Sequence, residues 1–295
     1  MSSESPCAMS YARERAIVVE AAREAGALLR AESERCAGPR GSGSHAPVDD
    51  EMGDLLCARL EATFPDDGIF CEDGGSRAKR GRSGRAFIVD RHDGTSEFLK
   101  GRRETSISVA LVDRGRLVLG VVAVPCVVGV RHRDPELSDL LMEPGEPTEW
   151  LASWAAGEPL RVNERAAPVP EPRDGLGDAS IALVSTTLAA PLLACNRKIL
   201  GPARVLRCAS IATRLAVVAA GQADLGLTIR NPLADWDFAG GQALLRGVGG
   251  DLVDERGEPI TWRGMRATGG GREGYFGARS LGLARDVAQR FATSR

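Results

Sequence analysis

The segment Ala86-Phe-Ile-Val-Asp90-Arg-His-Asp93-Gly-Thr95 runs an apolar, β-prone stretch straight into two carboxylates three residues apart. Side chains at the end of a strand can turn toward one point, and two such carboxylates offer the oxygen ligands that hard divalent cations take. Gly94 permits a tight turn, and the amides of Gly94 and Thr95 open the next element, where free N–H groups attract anions. A cation site and a phosphate site therefore fall within one short peptide. On spacing alone, Asp90 and Asp93 serve equally well as turn caps, a common use of aspartate.

The elements that must hold this peptide are legible from periodicity. Apolar residues recur at helical spacing over residues 11–36 (Ile17, Val18, Ala21, Ala25, Leu28, Leu29), which predicts a long amphipathic helix. A Gly/Ser/His/Pro loop follows over 38–47, and Asp49 or Asp50 can cap a second helix whose buried stripe is Met52, Leu55, Leu56, Leu60 and Phe64. Short strands are expected at 68–72 and 86–90, separated by a glycine- and arginine-rich solvated loop over 74–85. A short helix after Asp93 precedes strands at 105–112 and 117–125, joined by an Arg114-Gly115 turn. Proline- and acid-rich passages at 134–148 and 166–177 interrupt the pattern, and the second marks a boundary between domains 1–170 and 171–295. Beyond it, strands at 180–185 and 223–227 alternate with helices at 210–220 and 238–248, an α/β layering.

Composition narrows the function classes. The chain of 295 residues carries 38 basic against 40 acidic side chains, so no sequence-wide field draws it to nucleic acid or an anionic membrane. The seven cysteines are odd in number and never spaced C-x-x-C, which argues against a zinc site or a disulfide framework and suits a reducing cytoplasm. Residues 1–10 lack the basic and then apolar order of a secretory signal, and no later run approaches a membrane span. A cytoplasmic protein with a small-molecule partner is the expectation.

The Asp-x-x-Asp-Gly-Thr segment resembles the Asp-Pro-Ile/Leu-Asp-Gly-Thr signature of the inositol monophosphatase superfamily, and four further pieces follow in that family's order. Phe70-Cys-Glu-Asp73 is similar to its Gly-Glu-Glu element, and Ala234-Asp-Trp-Asp-Phe-Ala-Gly240 to its Trp-Asp-x-Ala-Ala-Gly signature. Gly157-Glu-Pro-Leu-Arg161 and the helix beginning at Ser210 also resemble family segments. Five ordered matches are far less expected by chance than one. The resemblance implies a layered αβαβα fold, with an α+β amino-terminal domain carrying most metal ligands and an α/β carboxyl-terminal domain completing the site.

It also implies roles. Glu72, Asp90, Asp93 and Asp237, with the main-chain carbonyl of His92, would ligate two or three Mg2+ ions that activate a water and stabilise the leaving alkoxide. Thr95, polarised by an acid of the second helix, would help Glu72 take the water's proton. Asp50 is the expected acid, with Asp49 close behind. Gly94 and Thr95 would meet the phosphate oxygens, with no covalent phosphoenzyme. Arg91 and His92 depart from the family's Pro and aliphatic residue, so the turn must be held by packing, with the imidazole as a packing substitution. Asp73 replaces a second glutamate, and Cys71, in place of a common glycine, reads as a buried structural thiol.

The implied activity is hydrolysis of an inositol or sugar monophosphate by a homodimer. The continuation from Thr95 to Glu104 also resembles 3'(2'),5'-bisphosphate nucleotidases, for which Lys100, Arg102, Arg103 and Arg230 are candidate contacts to a second phosphate. A phosphatase of a biosynthetic intermediate is a further alternative. A non-catalytic sensor of phosphometabolite or metal is the alternative of another class, disfavoured because Glu72 and Thr95 both stand.

Overall fold

The computed structural model of the chain describes residues 10–72, 81–126, 149–186, 190–268 and 271–294. Asp73, most of the expected loop at 74–85, and the acid-rich passage at 134–148 lie outside these residues. Helix α1 (Ala12–Ser33) buries Val18, Ala21, Ala25 and Leu29 of the expected stripe together with Ala22, while Ile17 and Leu28 are half-buried at its edge. Helix α2 (Pro47–Thr63) starts earlier than an Asp49 or Asp50 cap implies. Proline at the first helical position loses no hydrogen bond and has a pre-set φ, so Pro47 begins the helix. Asp49 instead sits within the first turn, where its Oδ2 accepts from the Ala46 amide at 3.0 Å.

The first sheet contains, among the described residues, β1 (Gly68–Cys71), β2 (Arg85–Asp93), β3 (Ser106–Asp113), β4 (Arg116–Val124), β5 (Trp150–Ala155), β6 (Arg161–Val162) and β7 (Arg165–Ala166), paired in that order. β1 runs parallel to β2, and the later neighbours are antiparallel. Alternation along the strands splits their side chains between two cores. Phe87, Val89, Val109, Leu111 and Val121 pack toward α1 and α2, whereas Ile88, Ala110, Val112, Val122 and Val124 face the opposite way. The sequence reading assigned no element to β5, whose Trp150 and Leu151 divide between the same two cores.

The second sheet collects β8 (Ile181–Ser185), β9 (Arg204–Cys208), β10 (Leu225–Ile229), β11 (Asp251–Asp254) and β14 (Gly274–Ala278) in the order β11-β14-β10-β8-β9. A small hairpin of β12 (Trp262–Arg263) and β13 (Arg266–Ala267) stands beside it. After the one-turn α3 (Thr95–Phe98), the remaining helices are α4 (Ala190–Leu200), α5 (Ile211–Ala219), α6 (Asp235–Gly247) and α7 (Leu281–Thr293). α5 and α6 fill the space between the sheets, and α7 covers the outer face of the second with Leu283, Val287 and Phe291. The layers are thus α, β, α, β, α.

The central layer approaches the first sheet closely because glycines face one another. A methyl group on Gly120 of β4 would stand 2.6 Å from the Gly240 carbonyl of α6 and 2.7 Å from Ala243 Cβ, so a side chain here would push α6 outward. α6 also starts three residues before the expected position 238, which places Asp237 in its first turn beside the end of β2.

Candidate metal and phosphate site

Residues three apart on a regular strand point to opposite faces, so Asp90 and Asp93 meet only if the ladder is interrupted. It is. Asp90 pairs with Ser108, and pairing resumes with Asp93 opposite Ser106, so β2 spends one residue more than β3 across this interval. This β-bulge turns both carboxylates to one side and re-aims the intervening Arg91 and His92 toward α2. Gly94 follows with φ 103°, and a side chain there would meet Thr105 Cγ2 at 2.8 Å, so glycine alone suits the turn into α3.

The bulge is held by polar contacts rather than by apolar packing. Arg91 Nη1 donates to Asp50 Oδ1 at 2.8 Å. Asp49 Oδ1 accepts from His92 Nδ1 at 2.6 Å, and His92 Nε2 shares a hydrogen bond with Thr105 Oγ1 at 3.0 Å. Two consecutive residues of β2 therefore clamp two consecutive acids of α2. The His92 imidazole is a hydrogen-bonded bridge, with Phe98 edge-on at 4.9 Å, and not the passive substitution expected of it.

The same contacts correct the choice of acid at Thr95. Thr95 Oγ1 lies 3.2 Å from Asp49 Oδ2 and 3.0 Å from the His92 carbonyl, while Asp50 points to Arg91 and to His45 at 3.6 Å. Positions one apart on a helix face different directions, and the register of α2 turns Asp49 inward, 2% exposed. A hydroxyl has one proton, so Thr95 serves Asp49 or the His92 carbonyl at any moment.

Asp90 is 1% exposed, and burial raises its pKa well above the ordinary value, with the charges of Glu72, Asp93 and Asp237 adding to the rise. Burial also raises Asp93, against the opposing effect of its hydrogen bonds from Ser210 Oγ at 2.6 Å and the Ala212 amide at 2.8 Å. Asp237 is pushed up to about 7, by burial first and then by Asp93. The four carboxylates thus feel one another across a space between β1, the bulge and α6. Their donors are all oxygen and their mutual repulsion is what a hard divalent cation relieves, so the set fits such an ion.

They do not form a closed cage. Among the described residues, no three His, Cys, Asp or Glu side chains are grouped closely enough to hold a metal as they stand. Like charges spread, and each aspartate gives an oxygen to a protein donor: Asp90 to the His92 amide at 3.0 Å, Asp93 to Ser210, Asp237 to the Ala234 amide at 2.8 Å.

Ser210 was missed as a contact. It caps α5 by accepting from the Thr213 amide at 2.8 Å while its hydroxyl donates to Asp93. The signal was present in Ser210 at a helix start, but nothing local pointed to Asp93, 117 positions away. Arg214, buried one turn on, donates to the Ser210 carbonyl at 3.1 Å and favours the ionised form of Asp93.

Three of the cations considered for a second phosphate are engaged inside the protein. Lys100 pairs with Glu97 at 2.5 Å, and Arg102 with Glu97 and Glu104, each at 3.2 Å. Arg103 is buried, lies over the Phe98 ring at 5.6 Å and reaches the Ser33 carbonyl. These acids lie two to five residues from their partners along the chain, so local pairing wins over projection to a ligand. Arg230 is exposed at the end of β10, with φ 53°, and lines a surface cavity with Pro232, Gly271, Arg272 and Glu273. Cys71 is buried as expected, its Sγ 2.8 Å from that of Cys57.

The profile described as the inositol monophosphatase family matches residues 11–283. An inositol-1-monophosphatase of Bacillus subtilis is 28% identical over 221 residues, spanning 73% of this chain and 74% of that one. A 3'(2'),5'-bisphosphate nucleotidase of Escherichia coli is 25% identical over 178 residues, 60% of this chain and 62% of the relative. The solved IMPase of Thermotoga maritima superposes with TM-score 0.71 at 21% identity, covering 96% of this chain and 98% of that chain, which shows the fold.

Proposed function

The chain belongs to the inositol monophosphatase family and is a phosphoric monoester hydrolase, and from that premise we propose that it is a magnesium-dependent phosphatase of an inositol or sugar monophosphate. The observation that carries this reading is the turning of Asp90 and Asp93 to one side by the β2 bulge, in electrostatic contact with Glu72 and Asp237. Glu72, Asp90, Asp93, Asp237 and the His92 carbonyl would hold two or three Mg2+ ions, which when bound supply an activated water and offset charge on the leaving oxygen.

The chain's own residues do the rest. Glu72, with its side chain 32% exposed, accepts the water's proton as a general base. Thr95 assists it, its hydroxyl oriented by Asp49, which in turn is fixed by His92 and the Ala46 amide. The amides of Gly94 and Thr95 meet the phosphate oxygens and compensate charge where it develops. No side chain of this set is required to become phosphorylated.

A monophosphate is favoured over an adenosine bisphosphate because Lys100, Arg102 and Arg103 are already paired or buried. Arg230, exposed after the end of β10, is kept as the substrate contact. In the same reading the enzyme works in the cytoplasm as a homodimer, divides near residue 170, and has neither nucleic acid nor membrane as partner. No helix among the described residues is long and apolar enough to cross a membrane.

The test is phosphate release from inositol phosphates, sugar phosphates, an assigned biosynthetic phosphoester and adenosine 3',5'-bisphosphate, with and without Mg2+, beside Asp93→Asn. Magnesium-dependent release from one monophosphate, lost in the variant, is the expected result. Turnover confined to the bisphosphate would replace the substrate reading, and binding of Mg2+ with no turnover at all would leave a sensor.

A further inference from the structure

Arg91 stands inside the bulge between two proposed ligands, with its side chain only 5% exposed. A guanidinium keeps its charge at every physiological pH, and burying one is unfavourable unless acids surround it. The acids it faces belong to the rim of the carboxylate cluster. Its Nη1 donates to Asp50 at 2.8 Å, and its Nε lies 3.9 Å from Glu72 Oε2, a distance at which that contact is coulombic rather than a hydrogen bond.

Its position follows from the chain's own departure at this point. The bulge turns residue 91 out of the ladder, and its long cationic side chain lies between Asp50 of α2 and Glu72. The Asp50 carboxylate anchors one side of the guanidinium, which leaves the edge carrying Nε toward the proposed general base. Arg214 plays a comparable part on the other side, where it favours the ionised form of Asp93. The cluster thus carries positive charge of its own at both ends before any metal arrives.

We propose that Arg91 is a fixed cation of the carboxylate cluster, a positioning residue that orients Glu72 and competes with a divalent cation for it. Metal on the Glu72 side then binds more weakly than the carboxylate set by itself would bind it. The inference rests on the metal-dependent reading above. Its reach is specific: it concerns affinity at one side of the cluster, and charge rather than shape is the agent.

Calorimetric titration of Mn2+ into the intact protein, with thermal melts in chelator as a check on folding, tests this without recourse to activity. Arg91→Gln removes the charge and is expected to tighten Mn2+ binding by about tenfold, since a unit charge a few ångströms from the ligand no longer opposes the ion. Arg91→Lys, which keeps the charge, is expected to stay within twofold of the parent. Asp50→Asn, at a half-exposed position, removes one acid that holds Arg91 away from Glu72 and is expected to weaken binding about threefold even if Arg91→Gln fails to fold. Unchanged affinity in Arg91→Gln and Asp50→Asn, with the parent binding Mn2+ and Asp93→Asn not, would overturn the inference and leave the metal reading standing. Absence of Mn2+ binding in parent and Arg91→Gln alike would overturn both.

Discussion

The two sides of the site are built by opposite means. Asp90 and Asp93 are placed by a strand irregularity, and Asp93 is locked by long-range partners: it accepts from Ser210 and Ala212, more than a hundred residues away. Asp237 is placed by a helix start and is satisfied locally, by the amide of Ala234 three residues earlier. A ligand set by register depends on every neighbour that maintains the bulge, whereas a ligand on a helix N-terminus depends on the helix reaching the sheet. The first side is therefore sensitive to polar substitutions around α2, and the second to the packing of α6 on β4.

Substitutions sharpen this contrast. Asp93→Asn removes a proposed ligand and a charge that orders the α5 start, and its phosphatase rate is expected to fall on the order of 10³-fold. His92→Leu leaves the backbone carbonyl in place but takes from buried Asp49 the partner of its Oδ1. We expect kcat to drop about tenfold to a hundredfold with KM little changed, together with a loss of about 1–3 kcal/mol in denaturant melts. Equal activity in His92→Leu would show that the imidazole only fills space. Gly120→Ala acts on the other side: overpacking against Gly240 is expected to cost about 1–3 kcal/mol. Its activity should fall through Asp237, and an unchanged melting temperature would sink the close-packing argument.

The pH response distinguishes the sides as well. Asp237 moves from 3.8 to about 7 on folding, through burial and then the charge of Asp93. Between those values the folded chain holds a proton that the unfolded chain has released, so in chelator its contribution to stability falls as pH rises through this window. Melts in EDTA at pH 5 and pH 7.5 should show a smaller decline for Asp237→Asn than for the parent, and an identical decline would refute the assignment. The smallest effect is expected for Lys100→Ala. That side chain is 60% exposed and paired with Glu97, so turnover should stay within about twofold and stability within about 0.5 kcal/mol. A large rise in KM there would revive the second-phosphate reading.

Periodicity made α1, the body of α2 and the strands flanking Asp90 legible, because burial on one face leaves a repeat that any stretch of sequence displays. The ordered motifs likewise pointed to Glu72, Asp90, Asp93 and Asp237 together. Local sequence failed where the deciding partner is distant. Strand β5 is buried at every position and so shows no one-face alternation, and its pairing with β4 bridges the passage at 134–148. Asp49 and Asp50 are chemically equivalent neighbours, and only the docking of α2 against the bulge selects Asp49 for Thr95 and Asp50 for Arg91.

From the order of residues alone comes an inventory: which carboxylates exist, in what order, and next to which strand and helix starts. The tertiary structure decided which of them meet. One extra residue in β2 relative to β3 reverses the face of Asp93, and the glycine contact of β4 with α6 sets how near Asp237 comes. Neither is encoded in a window of residues, because both arise from the registry of elements that become neighbours only when the sheets and helices pack.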